Sequence, residues 1–304
     1  MRLKPIKLVA IVLLTPLMSL AVGKVEFKPS PRFVLPSSAV LAQSVDEQRA
    51  EADRLFQQGI EQFKTSQFEA ALQSWQQSLT IYREIKDRFG ERQSLNNLGI
   101  AYRNLGDYTQ AIEYHQQSLA IAREINDRLG EGKTLGNLGS AYYSLGNYAQ
   151  AIEYHQQGLA IAREINDRQG EGASLNNLGI AYYSLGNYAQ AIEYHQQGLA
   201  IAREINDRKG EGNALNNLGN AYRNLGNYAQ AIEYHQQSLA IAREINDRKG
   251  EGASLGNLGS AYFSLGNYTK AIEYHQQSLA IAREINDRKG EGNALNNLGL
   301  AYNA

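Results

Sequence analysis

The stretch Asn147-Tyr148-Ala149-Gln150-Ala151-Ile152-Glu153-Tyr154-His155-Gln156-Gln157-Gly158-Leu159-Ala160-Ile161-Ala162-Arg163-Glu164-Ile165-Asn166-Asp167-Arg168 returns almost letter for letter when shifted by 40 residues in either direction. Copies open at Tyr108, Tyr148, Tyr188, Tyr228 and Tyr268, and a diverged one opens at Phe68. A fixed period of about 20 to 50 residues is the signature of stacked repeats, in which each unit covers its neighbour's apolar face. The period overrides the two-domain expectation that 304 residues would otherwise carry.

The periodicity inside each copy is helical. In the copy opening at Tyr108, a turn of about 100° per residue gathers Tyr108, Ala111, Ile112, His115, Leu119 and Ala122 into one stripe. Tyr114, Ser118, Ile121 and Ile125 form a second stripe beside it. A helix with two adjacent apolar stripes touches two partners, its hairpin mate and the next unit, whereas a one-sided surface helix shows a single stripe. The opposite face, Glu113, Gln116, Gln117, Arg123 and Glu124, is polar, and Glu124 with Arg128 and their repeats read as a solvated face with i,i+4 pairs.

A second helix precedes each of these. In residues 127–166, Asp127 caps a helix running to about Leu145, and Gly146 supplies the left-handed stop. Leu135, Leu138, Ala141, Tyr142 and Leu145 form its buried face, while Lys133, Gly136, Asn137, Ser140, Tyr143 and Ser144 point the other way. Asn147 caps the following helix, with Gln150 completing a capping box, and that helix ends near Ile165. Connections this short force antiparallel neighbours. The expected fold is an all-α solenoid of six helical hairpins plus a terminal helix over residues 44–304. Its repeats fall at approximately 52–91, 92–131, 132–171, 172–211, 212–251, 252–291 and a partial 292–304.

Leu138-Gly139 followed by Tyr142, Gly146, Tyr148, Ala151 and the small Gly158 resembles the tetratricopeptide repeat (TPR), and the pattern recurs across residues 45–304. The usual unit of that family has 34 residues; here Ala162-Arg163-Glu164-Ile165 extends the second helix to give 40. The longer form is similar to the repeats of the Pins/LGN polarity adaptors and, more distantly, of kinesin light chains. This resemblance implies a right-handed superhelix and capture of extended peptides in a concave groove. The chain also resembles exported bacterial TPR proteins, here without the C-terminal caspase-like (CHAT) domain that some of them carry.

The N-terminus supports export. Arg2, Lys4 and Lys7 precede an apolar run from Leu8 to Val22 that Pro16 interrupts, so residues 1–23 read as a signal peptide with an unassigned cleavage site. An uncleaved membrane anchor is the alternative. Residues 24–43, with Pro29, Pro31 and Pro36, read as an extended linker, and Ser44-Val45-Asp46-Glu47 as the capping box of a first helix ending at about Lys64. With net charge −1 overall and six Lys/Arg against Glu26 in residues 1–42, the remainder carries −6. A mildly acidic body lacks the basic footprint that nucleic acid requires.

Enzymatic chemistry finds no foothold. The absence of cysteine removes disulfides, thiolate metal sites and cysteine nucleophiles. His115, His155, His195, His235 and His275 form a row, but they sit on the buried stripe one repeat apart, too far for a shared zinc ion, and read as packing groups. Gly130-Glu131-Gly132-Lys133-Thr134 suggests a phosphate loop, yet Asp127 stands where that motif needs Gly. Asn267-Tyr268-Thr269 fits a glycosylation sequon, but Asn267 is better explained as a helix cap. No metal and no cofactor are expected, and the chain reads as a non-enzymatic protein.

The differences between repeats point elsewhere. The outer face, Glu113, Gln116, Gln117, Arg123 and Glu124, is unchanged in repeats 2 to 6, whereas the inner face of the first helices varies. One position reads Ile100, Ser140, Ile180, Asn220, Ser260, Leu300; another reads Arg103, Tyr143, Tyr183, Arg223, Phe263, Asn303; a third begins Gln93, Lys133, Ala173. Asn97, Asn137, Asn177, Asn217, Asn257 and Asn297 stay fixed among them. Side-chain amides both donate and accept, so this row is expected to hold the backbone of an extended peptide. The aromatics and arginines would then select its sequence. An inter-helix role for the Asn row is the alternative. Lys133, Arg103 and Arg223 with no acid opposite favour a modestly acidic protein segment. A carboxylate clamp of the chaperone-adaptor kind lacks its lysine, because Asn96, Gly136, Asn176, Asn216 and Gly256 hold that position. Self-association through an incompletely covered C-terminal helix, giving a homo-oligomer, is the second functional reading.

Overall fold

The computed structural model describes residues 38–304, with side-chain surroundings from residue 44 onward. The expected signal peptide and most of the expected linker lie outside the described residues. Thirteen helices and no strand occur among those described: α1 (Ser38–Lys64), α2 (Phe68–Glu84), α3 (Arg88–Leu105), α4 (Tyr108–Glu124), α5 (Arg128–Ser144), α6 (Tyr148–Glu164), α7 (Arg168–Ser184), α8 (Tyr188–Glu204), α9 (Arg208–Asn224), α10 (Tyr228–Glu244), α11 (Arg248–Ser264), α12 (Tyr268–Glu284) and α13 (Arg288–Tyr302). Among these, none is long and apolar enough to cross a membrane.

The hairpins form for the reasons expected. Asp127 Oδ1 accepts the Gly130 N–H at 2.8 Å, and Asn147 Oδ1 accepts that of Gln150 at 3.3 Å. Gly146 then ends α5 at φ +84°, with the Asn147 N–H returning to the Tyr142 carbonyl at 2.9 Å. Lys86 holds the equivalent place after α2, but from α4 onward the second helices stop the same way on asparagine: Asn166 stands at φ +56°. Its side chain tolerates the left-handed region better than most. Asn166 therefore closes α6, and Asp167 alone opens α7.

Four expectations need correction. The first helix starts at Ser38, inside the expected linker, so Ser44 lies within α1 and caps nothing. Gln150 does not complete a reciprocal box, because Asn147 Nδ2 bonds its side chain at 2.6 Å while the Asn147 N–H is already taken by Tyr142. Leu145 is 51% exposed, and Leu185, Leu225 and Leu265 match it. The helix stops at the residue before, so the turn carries Leu145 away from the buried face.

The fourth concerns the charges. Glu124 and Arg128 do not pair. Arg128 instead reaches Glu131 on its own helix and Glu164 at the far end of the hairpin, with Nε to Glu164 Oε1 at 3.0 Å. Arg123 donates to Glu131 at 2.8 Å, so the almost buried Glu131 joins the end of α4 to the start of α5. The Arg123–Glu131 bridge recurs from Arg83–Glu91 to Arg283–Glu291, making an ion ladder along one edge.

The core is a chain of small clusters between successive hairpins. Leu135, Leu138, Leu175, Leu178 and their equivalents in α3, α9 and α11 are essentially inaccessible. Each such side chain contributes about 1.5–3 kcal/mol of burial. Tyr142 stacks on Tyr154 with centroids 5.2 Å apart, and Trp75 takes the histidine position in the first hairpin. At the other end Leu298 is buried, whereas Leu295 and Tyr302 are 47% and 63% exposed.

From α3 onward, neighbouring first helices (odd-numbered) approach one another, whereas neighbouring second helices do not. In a bent stack the more closely spaced layer is the inner one. The first helices therefore line the concave side, which is where their variable face points.

Candidate functional site

Each first helix is drawn close to its mate by a glycine. The imidazole of His155 lies over Gly139, where a Cβ would fall 2.5 Å from Cε1. All five histidines are buried. Burial takes His155 and His195 down to about 4, and burial reinforced by Arg103 and by Arg223 takes His115 and His235 to about 3. They are neutral packing groups beneath the groove floor.

Above them sits the asparagine row, all half-buried. Asn137 Nδ2 donates to Asn96 Oδ1 of the preceding repeat at 2.9 Å, and Asn217 to Asn176 and Asn257 to Asn216 do the same. Half of the row is thus partly spent on holding first helices together, the inter-helix role weighed above. Opposite Asn177 and Asn297 stand Gly136 and Gly256, which have no side chain to offer.

Those glycines open two clefts. One of about 380 Å³ lies over Gly136, between Asn137, Ser140, Ile161 and Asn177. Its counterpart of about 370 Å³ lies over Gly256, between Asn257, Ser260, Ile281 and Asn297. Adjoining them are shallower clefts of about 210 Å³ beside Arg103 and Tyr143 and about 180 Å³ beside Arg223 and Phe263.

The expected site residues therefore fall into groups. Arg103, Tyr143, Arg223, Phe263, Asn177 and Asn297 share these clefts. Tyr143 Oη meets Ser184 Oγ at 2.9 Å and Tyr183 Oη accepts from Asn224 at 2.7 Å, so both rings lean onto the next repeat. Asn97 belongs to neither cleft pair. Lys133 is exposed at a rim, and the expectation of no acid opposite fails there: Asp167 lines the same cleft, its Oδ1 2.9 Å from the Gly170 N–H. The Arg103 and Arg223 clefts contain no carboxylate.

A family model described as a tetratricopeptide repeat matches residues 59–124, 91–164, 130–204, 170–244, 210–284 and 250–304 in overlapping pairs of units. Several solved structures share the architecture. BtubC (BKLC) from P. vanneervenii is 19% identical over 80% of this chain and 92% of its own, with a TM-score of 0.61. The nearly identical TPR-like repeats of a Podosopora anserina putative kinesin light chain are 25% identical over 63% of this chain and 95% of theirs, at 0.55. A Rap protein complexed with competence and sporulation factor is 16% identical over 86% of this chain and 79% of its own, at 0.61. A search of curated proteins returned no match.

Proposed function

Because the chain belongs to the tetratricopeptide repeat family, we propose that it is a non-enzymatic scaffold that holds an extended segment of another protein along its concave layer. The observation that carries this reading is the contrast between its two faces. From the second to the sixth repeat the outer-face residues equivalent to Glu113, Gln116, Gln117, Arg123 and Glu124 do not change, while clefts of up to about 380 Å³ lie along the inner helices, where the residues vary. A narrow, segmented groove fits a strand-like chain with side chains entering in turn, not a folded surface. The half-buried amides suit its backbone, since each retains an acceptor or a donor after its inter-helix bond. The structural relative bound to competence and sporulation factor is consistent with such use.

The leader places the protein outside the cytoplasm in this proposal, in the periplasm or beyond. Fusion of residues 1–43 to a reporter active only after export tests that part, and a silent reporter would refute it.

A photo-crosslinking residue at Tyr143 should couple to a partner polypeptide in the source cell, whereas the same residue at Gln156 on the outer face should not. Crosslinks confined to position 156 would end the groove reading.

A further inference from the structure

Among the described residues, every arginine but two lies within ion-pair distance of a carboxylate. The exceptions are Arg103 and Arg223. Both are half-buried, both occupy the same position of the inner face, and the Nε of Arg223 is enclosed without any hydrogen-bond partner. A guanidinium removed from water with no counter-charge is costly unless something else completes it. That two such groups stand at equivalent places in a chain that pairs all its other arginines calls for a physical reason.

Their surroundings repeat as well. Arg103 borders Ser140, Tyr143, Ser144 and Asn177; Arg223 borders Ser260, Phe263, Ser264 and Asn297, each residue 120 positions further on. The glycine-floored clefts obey the same displacement, Gly136 to Gly256, and they share Ser140 with Asn177 and Ser260 with Asn297. A period of 120 residues, three repeats, is therefore superimposed on the period of 40. It is confined to the inner face: Asn96, Gly136, Asn176 is followed by Asn216, Gly256, Asn296. The copies are not identical, since Ser278 replaces Gly158 and Ala253 replaces Lys133.

Resting on the groove reading above, we infer that the groove contains one compound site built twice, three repeats apart. Each site accepts an acidic side chain against its arginine, beside a small residue whose backbone enters the glycine-floored cleft and meets the unspent asparagine amide. The arginine clefts hold no carboxylate of their own, so a ligand carboxylate completes the guanidinium by bidentate bonding. Neighbouring inner helices at the usual 8–10 Å put the two sites roughly 30 Å apart, which about nine extended residues span at about 3.3 Å each. The ligand is an extended peptide with two acidic residues about nine positions apart.

The test is to pan a displayed library of random peptides, each about 16 residues long, against the full chain, and to measure the enriched peptides on variants. Peptides carrying two Asp or Glu about nine apart should emerge. Arg103→Tyr and Arg223→Tyr should each weaken them at least tenfold, and both together at least a hundredfold. Tyrosine occupies the equivalent position at Tyr143 and Tyr183, so these variants keep the fold, as circular dichroism will verify. Gly136→Asn should also weaken binding at least tenfold by filling the cleft and engaging Asn177, as Asn96 engages Asn137. Enriched peptides without paired acids, or indifferent to the arginine variants but sensitive to Gly136→Asn, overturn the twin-site inference and leave the groove standing. A library yielding no binder, or binders indifferent to all these variants, overturns both.

Discussion

At the residue scale, the decisive contacts join a glycine to a histidine. Gly139 sits mid-helix, a place that normally costs about 1 kcal/mol relative to alanine, and it is there because the His155 ring occupies the space a Cβ would need. Gly139→Ala should therefore destabilise the protein by about 1–3 kcal/mol through overpacking. Gly136→Ala, whose Cβ would meet nothing within 4 Å, should be neutral or mildly stabilising. Urea denaturation of the two variants checks this, and equal midpoints would refute the packing account. The histidines also set a pH limit. Burial, the main cause at each, takes them from the usual 6.5 to about 4 at His155 and His195 and about 3 at His115 and His235. Above pH 6.5 the rings are neutral in both folded and unfolded chains, and their contribution is complete. As pH falls the unfolded chain gains protons that the folded one refuses, at about 1.4 kcal/mol per ring per pH unit. Stability should thus decline between pH 6.5 and about 4. Replacing His155 and His195 by Gln should flatten that decline, as thermal melts across this range would show. An unchanged slope would mean that other groups dominate.

At the element scale, the ends of the helices are held by caps and by the ion ladder. Glu131 is almost buried and takes bonds from Arg123 and Arg128, so Glu131→Gln leaves Arg123 without a carboxylate and Arg128 with Glu164 alone. The expected loss is about 2 kcal/mol, in the range for hydrogen bonds to charged groups. Glu113→Gln, on the solvated outer face, should leave the denaturation midpoint unchanged. Equal effects would show that the ladder is ornamental. The ladder was not legible in the sequence. Arg128 has Glu124, Glu131 and Glu164 within reach of one period or less, and near-identical repeats give no clue to which is chosen. The caps were legible, because Asp127 and Gly146 act through bonds to residues a few positions away. The asparagine row lies between these cases. Its place on the inner face followed from helical spacing, but the bond from Asn137 to Asn96 spans 41 residues and depends on how closely the first helices approach. Leu145 was misplaced for a local reason, since the helix ends one residue before it.

At the scale of the whole molecule, stability adds up repeat by repeat, because each hairpin contacts only its neighbours. Function, in the reading developed above, does not add up that way: it depends on how many repeats separate Arg103 from Arg223. The solenoid can be shortened with both arginines, both cleft glycines and a facing asparagine at each retained, although Asn213, Ala214 and Asn220 then replace Ala173, Ser174 and Ile180 in the first site. Deleting residues 168–207 joins Asp167 to Arg208, preserves the repeat phase and puts Asn217 in the place of Asn177, facing Gly136. Helicity per residue should be unchanged by circular dichroism, whereas deleting residues 168–187 removes one helix of a pair and should unfold the neighbouring units. The two arginines then stand two repeats apart. A peptide with acids about nine residues apart should bind the shortened chain at least tenfold more weakly, and one with a spacing of about six should now bind best. A peptide with a single acid should bind both chains alike. If the preferred spacing does not move with the deletion, the distance between the arginines is not what the groove reads.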